Sequence, residues 1–423
     1  MAPRGFSDPA ASHNQQQAAP ALPVPCPTES DVDAMKSSPL TLAPAPRSEA
    51  AEKVRAEVRE FLTSELEAGT FETHVDTWLS GVDPAFSKKL GERGWLGMTW
   101  PSKYGGHERT AQERYAVTEE LLAAGAPVAA HWIADRQSGP NLLRYGTERQ
   151  RAEILPRIAA GECYFVIGMS EPDSGSDLAS IRTRATRNQA GDWVVNGSKV
   201  WTSNAHHSHY AITLVRSDPP GEGPRGRHQG LTQLLIDLSL PGITINPIRI
   251  LDGGHHFNEV VFDDVVVPGD MLLGEQGAGW HQVSAELAFE RSGPERFLST
   301  LPLLVAFGRL AAETEDSAQL ATLGRLSERL LALRQLSLRI AAALDRGELP
   351  DLPAAMVKDV GTTFEVDIID EIRRVVDVVP SLDSDDALAR ALAEAQLHAP
   401  GYTLRGGTNE ILRGIVARGL GLR

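Results

Sequence analysis

Cysteine is nearly absent. Cys26 and Cys163 are the only two in 423 residues, which excludes a disulfide framework and a cysteine-rich metal site. A surplus of positive charge is missing as well. The formal net charge is −15, which argues against nucleic acid or a membrane surface as a general partner, although local basic residues can still meet a phosphate-bearing ligand. No apolar run approaches the length of a membrane span. No G-x-G-x-x-G stands on a strand–helix–strand unit, which argues against a Rossmann dinucleotide fold. His206-His207 and His255-His256 lack a third ligand at suitable spacing, so no metal site is expected.

What is present is enough chain for two or three core-sized units, with an ordinary 42% of hydrophobic residues. Residues 1–46 are a different material. Ala, Pro, Ser and Gln dominate there without a periodic apolar face, the composition of a disordered tail. The tail lacks the apolar centre of a secretory signal, and Met35 is an internal candidate start. A cytoplasmic location is the simplest expectation.

From Ser48 the pattern turns helical, with Val54, Val58, Phe61 and Leu62 at helical spacing. Pro101–Gly106 reads as a loop, and helices are expected over Ala111–Ala124 and about Trp132–Tyr145. Thr147 is a plausible N-cap for the next helix, with Pro156 near its end. Clustered β-branched runs follow at Ala211–Val215, Leu231–Ile236, Ile243–Ile250 and Val260–Val267. From Gly277 the helical period returns. Leu310–Leu344 has the composition of a bundle helix pair, and Ala387–Leu397 of a shorter helix. The expected class is α+β: a tail (1–46), an N-terminal helical domain (47–160), a central antiparallel β domain (161–275) and a C-terminal four-helix bundle (276–423).

The stretch Gly168–Asn204 anchors the reading. It opens with Ser170-Glu171-Pro172-Asp173-Ser174-Gly175-Ser176-Asp177, many donors in a short loop. Alternating residues follow, broken at Gly191-Asp192 and at Asn196-Gly197, which reads as antiparallel hairpins. An edge of donors beside Trp201 suits a flat, polar, π-rich ligand.

This stretch resembles the flavin-binding signatures of the acyl-CoA dehydrogenase family, a TEPxxGSD-type loop followed by a WITN-type strand. Gly94–Gly106, Phe257–Gly279 and Arg405–Arg418 resemble further family segments, so the likeness spans roughly residues 47–423. The resemblance implies bound FAD, with Met169, Ser170, Ser176, Trp201 and Ser203 as contacts on one side and Thr408 and Glu410 on another. Read singly, Ser170 and Ser176 could merely stabilise a turn, Trp201 could be core, and Thr408 could be the N-cap of a helix starting at Asn409. The resemblance also implies an acyl-CoA substrate, an electron-transfer flavoprotein as acceptor, and a homodimer or homotetramer.

One departure matters. Most family members read Y-E-G-T where this chain reads Arg405-Gly406-Gly407-Thr408, and that Glu is their base. Glycine cannot take a proton, although its backbone amide can still donate to the thioester carbonyl. The isovaleryl-type and long-chain-type branch carries its base in an L-x-x-E-R context, which here is Leu287–Arg291. Glu290 is therefore the expected base. Glu295, four residues from Arg291, is expected in an ordinary helix ion pair. Pro294 and Gly293 predict a kink or break within one turn of Glu290. The Q-x-x-G-G-x-G run and the Arg before a Phe-Gly pair, which hold the adenine side of the cofactor in relatives, are missing. The implied reaction is α,β-dehydrogenation of an acyl-CoA to the 2-enoyl-CoA. Its rivals are an oxygen-using flavin oxidase or monooxygenase of the same fold, and a non-catalytic acyl-CoA-binding partner subunit.

Overall fold

A computed structural model describes residues 42–46, 48–223, 226–290, 293–348 and 350–422, without the side chains of 285–290. Most of the expected tail, residues 1–41, lies outside the described residues.

Helices come first. In α1 (Glu49–Glu67) the stripe Val54, Val58, Phe61 and Leu62 is buried, as its spacing requires. Short α2 (Thr77–Ser80) and α3 (Pro84–Glu92) follow. Next come α4 (Ala111–Ala123), α5 (Ala129–Ile133), α6 (Gly139–Tyr145) and α7 (Glu148–Ala159). Thr110 and Thr147 open α4 and α7 with full capping boxes. The helix expected over Trp132–Tyr145 is not continuous, because a π turn (Ala134–Ser138) interrupts it. That widened turn places the Asp135 carboxylate 2.7 Å from the Gly97 amide, which donates to it.

The strands are β1 (Phe165–Gly168), β2 (Arg184–Arg187), β3 (Trp193–Ser203), β4 (Tyr210–Arg216), β5 (Leu231–Asp237), β6 (Ile243–Ile248), β7 (Phe257–Val267) and β8 (Leu272–Leu273). They form one sheet in the order β6-β7-β3-β2-β4-β5-β8. It is mostly antiparallel; β1 and β2 run parallel to β4 on successive parts of one edge. The Gly191-Asp192 turn does join β2 to β3 as a hairpin. Asn196-Gly197 does not make the second turn read from the sequence. β3 runs straight through it with a register shift against β7. Gly197 takes φ +146 there, where a Cβ would lie 2.5 Å from the Thr183 hydroxyl. Asn196 spends its side chain across the ladder on Asp264, in both directions, at 2.9 and 3.0 Å.

Six helices complete the chain: α8 (Gly279–Glu290), α9 (Leu301–Thr314), α10 (Ser317–Asp345), α11 (Asp351–Arg373), α12 (Ala387–Tyr402) and α13 (Asn409–Gly419). The expected break near Glu290 is present: α8 ends there, Gly293 is extended, and Pro294–Arg296 forms a single 3-10 turn. Glu295 is consequently not an exposed helix residue, and Arg291, its expected partner, lies outside the described residues. The turn swings Glu295 inward, where it is 2% exposed and 3.1 Å from Arg136 on the π turn. Phe61 and Trp78 of the N-terminal helices share one core with Phe307, Phe364 and Tyr402 of the C-terminal ones. No helix among the described residues is long and apolar enough to cross a membrane.

The three parts of the chain meet at Asp76. This N-cap of α2 is 3% exposed and has left-handed backbone, φ 56°. Its carboxylate accepts from Arg405 at 2.7 Å and from His398 at 3.3 Å. His398 reaches on to Asp252, in the loop between β6 and β7, at 2.9 Å. Arg405 and His398 together hold the Asp76 carboxyl well below the usual range against the opposing effect of burial. Asp76→Asn keeps the size and tolerates the same left-handed backbone, so it removes only charge. It is expected to destabilise the fold by about 3–5 kcal/mol in urea titrations, because buried Arg405 loses its near carboxylate and keeps only Glu365, at 3.9 Å, as an anionic neighbour among the described residues. A loss below about 1 kcal/mol, the size of an exposed pair, would remove Asp76 from its central place.

Candidate functional site

The site is built on the edge of β3. Lys199 is fully buried, and its ammonium donates to the Glu171 carboxylate at 2.8 Å and to the Met169 carbonyl at 3.0 Å. Burial lowers the Lys199 pKa to about 8, against the opposing pull of Glu171. Glu171 also accepts from the backbone amides of Arg182 and Thr183, at 2.6 and 2.8 Å. One buried ion pair thus pins the polar loop that opens at Ser170 to the strand. Val200 donates to the Ser170 carbonyl at 2.9 Å, which sets Met169-Ser170 directly against Lys199-Val200. Ser176 lies farther along the loop and is exposed.

Beyond Val200 the strand bulges. The β3–β7 register shifts between Lys199 and Thr202, and Trp201 takes φ 58°. A bulky residue there is strained by about 1–3 kcal/mol. The indole is 58% exposed, with the Phe257 ring edge-on at 5.8 Å. Half-buried Ser203 pairs with Phe257 in the ladder. Asn204, again left-handed, fastens the strand end: its side chain donates to the Leu79 carbonyl at 2.9 Å, and its amide to the His256 carbonyl at 2.7 Å. Met169, Ser170, Trp201 and Ser203 therefore gather at one strand end. An open aromatic face beside hydroxyls and backbone amides fits a flat, polar, π-rich group such as an isoalloxazine. The neighbouring histidines stack on one another, His206 on His255 at 4.1 Å. Among the described residues no three groups could hold a metal.

The second part of the site is the turn before α13. Gly406 and Gly407 have φ +69° and +87°, backbone that favours glycine. Thr408 caps α13, its hydroxyl accepting from Ile411 at 3.4 Å, and Glu410 is exposed in the first turn. No hydrogen bond among the described residues joins Thr408, Glu410 or Ser176 to the Trp201 strand. Glu290 ends α8, and its side chain is outside the described residues.

What joins the two parts is a buried charge network that no sequence motif announces. Arg405 lies beside Gly406, its guanidinium over the Trp78 ring at 4.4 Å and bonded to Asp76 and, at 3.0 Å, to the Ser299 hydroxyl. The chain of bonds from Arg405 through Asp76 and His398 to Asp252 ends in the loop that leads to His255, His256 and Phe257 beside Trp201. Glu365, fully buried, accepts from the Ser299 amide at 2.7 Å, and burial raises its pKa to about 7 against the pull of Arg405. The only local clue to Glu365 is a carboxylate between Phe364 and Val366 in an apolar helix face.

Burial alone would lower the His398 pKa. Its hydrogen bonds to Asp252 and Asp76, and their charges, override burial and raise it to about 9. A raised histidine pKa stabilises the fold fully below the unfolded value of about 6.5, and that contribution disappears as pH rises through the folded value. His398→Gln is therefore expected to destabilise by about 2–4 kcal/mol in mildly acidic solution. The difference from wild type should shrink steadily above about pH 6.5. Urea titrations of both proteins across pH check this, and a difference independent of pH would contradict it.

Sequence profiles of three domains match the chain. The N-terminal domain of acyl-CoA dehydrogenases matches residues 48–162, the middle domain 166–265 and the C-terminal domain 305–421. The Mycobacterium tuberculosis protein "Acyl-CoA dehydrogenase FadE26" is 31% identical over 396 residues, covering 87% of this chain and 96% of its own. "Acyl-CoA dehydrogenase IpdE1" of the same organism is 33% identical over 387 residues, covering 88% and 97%. Among solved structures, "Tcur3481-Tcur3483 steroid ACAD" is 30% identical with a TM-score of 0.79, covering 90% of this chain and all of that one. The ChsE4-ChsE5 complex from Mycobacterium tuberculosis is 29% identical with a TM-score of 0.76, covering 89% and 99%. The chain belongs to the acyl-CoA dehydrogenase family, FAD flavoproteins that desaturate acyl-CoA thioesters between Cα and Cβ.

Proposed function

We propose that this chain carries out that dehydrogenation itself, with Glu290 as the base and the Gly406 amide as the donor to the thioester oxygen. When bound, FAD supplies the two-electron acceptor for the hydrogen leaving Cβ. Trp201, Met169, Ser170 and Ser203 would hold its ring system, Trp201 through its exposed indole and the others through polar atoms. Ser176, Thr408 and Glu410 are assigned to the rest of the cofactor. The Gly406 amide is held by a left-handed turn, so it needs no reorganisation as negative charge builds on the oxygen. Glu290 closes α8 next to the 294–296 turn, and loss of water around it on substrate binding raises its affinity for the α-proton.

The observation that carries this reading is Trp201, a large aromatic held exposed on strained backbone. A fold gains nothing from that placement, and a flat ligand does. Trp201→Gly should leave the free protein as stable or slightly more stable, because glycine takes φ 58° without strain. The same variant should retain much less flavin after gel filtration. A large stability loss with full flavin retention would make Trp201 a core residue.

The base is tested separately. Glu290→Gln should keep flavin and ligand binding while reduction by acyl-CoA slows by about 10²–10⁴-fold. Unchanged reduction would place the base elsewhere. The glycine at 406 also favours a non-catalytic partner subunit, and purified wild-type chain that never bleaches with any thioester would support it.

An oligomer of acyl-CoA dehydrogenase subunits is part of the proposal. Leu404, Ile411, Leu420 and Leu422 are exposed around the C-terminal helix, and two of the similar structures bear the names of two-component enzymes. An electron-transfer flavoprotein is the acceptor this reading implies. The name of one neighbour places steroid thioesters beside straight and branched acyl-CoAs in the panel to be compared.

A further inference from the structure

Gly406 is more than a position that has lost a carboxylate. A Cβ built on it would lie 3.1 Å from Nη1 of Arg296 and 3.2 Å from both Cζ and Nη2. The direction a side chain at 406 would take is therefore filled by a guanidinium. Arg296 is 1% exposed and lies over the Trp78 ring at 5.2 Å. Its backbone has little room to retreat. It closes the 294–296 turn, with its amide donating to the Gly293 carbonyl at 3.2 Å. On the other side α11 presses against it, since a Cβ at Gly361 would come within 2.4 Å of the Arg296 carbonyl oxygen. Two arginines thus flank the turn, Arg405 from within it and Arg296 from across it, both over Trp78.

We propose that Arg296 is the positioning residue of the 405–407 turn and the reason the base of this chain stands elsewhere. Its guanidinium packs on Gly406 and fixes the turn whose amide faces the thioester. A carboxylate placed at 406 comes within ion-pair reach of the Arg296 guanidinium. Such pairing depresses a carboxylate's proton affinity, the opposite of what a base for an α-proton needs. The left-handed backbone at 406 works in the same direction, since any side chain there is strained. The base role thus passes to a residue outside the turn. This inference rests on the proposed function for its catalytic meaning, and on geometry alone for the pairing.

The test is a cycle of Gly406→Glu and Arg296→Met, read in two ways. In urea titrations of the flavin-free protein, Gly406→Glu should be tolerated better with Arg296 present than with Arg296→Met. The coupling should alter the unfolding constant by about 10- to 100-fold. Arg296→Lys, which keeps a cation, should retain part of this coupling and serves if the methionine variant does not fold. In the flavin-loaded protein, Glu290→Gln with Gly406→Glu should reduce no faster than Glu290→Gln alone. Adding Arg296→Met to that pair should raise the rate by about tenfold or more, as a freed carboxylate regains basicity. Recovery of activity by Gly406→Glu while Arg296 is in place, or absence of coupling in urea, would overturn the proposal. Should Glu290→Gln alone stay fully active, the proposed base fails, while the urea coupling still decides on Arg296.

Discussion

The buried carboxylate of Asp76 is the constraint on which the rest depends. It stands at the start of a one-turn helix and binds His398 of α12 and Arg405 of the turn before α13. His398 then holds Asp252 in the loop between two strands of the sheet. Charges this deep are stable only when each is paired, so the three parts of the chain must meet in one relative arrangement. The neighbouring bonds repeat the lesson. The Trp78 indole donates to the Ser299 hydroxyl at 3.0 Å, the Asp76 amide to the Ser299 carbonyl at 2.9 Å, and the Asn204 side chain to the Leu79 carbonyl at 2.9 Å. The segment 76–80 is a wedge between the Trp201 strand and the Gly406 turn.

The wedge stands between the two parts of the proposed site. On one side is a strand end that exposes an indole; on the other is a glycine turn that aims a backbone amide. Neither is stable for its own sake. Trp201 has a backbone angle suited to glycine, and the 406–407 turn accepts no side chain without strain. In the proposed function both departures contact bound groups, Trp201 the cofactor and Gly406 the thioester, as expected when local strain is retained for binding.

Much of the fold and part of the site are legible in the amino-acid sequence. The Thr147 and Thr408 caps, the Gly191-Asp192 hairpin and the break after Glu290 follow from local chemistry, which residues near in sequence decide among themselves. The misreadings share the opposite cause. Asn196-Gly197 has turn chemistry, yet Asp264 on the next strand takes up the Asn side chain and the strand continues. Glu295 has helix-pair spacing from Arg291, yet Pro294 turns it inward to Arg136. Asp76, His398, Glu365 and Arg296 look like ordinary surface charges in the sequence. Their roles come from partners up to 329 residues away, which no periodicity reports.

The most direct measurement is an anaerobic titration of the purified chain with acyl-CoA thioesters, following the visible flavin band and the mass of the thioester together. The account predicts a yellow protein whose band bleaches as the thioester loses two hydrogens to become the 2-enoyl-CoA. A protein that cannot be reconstituted with FAD, or a flavin that stays oxidised with every thioester in the panel, would contradict it.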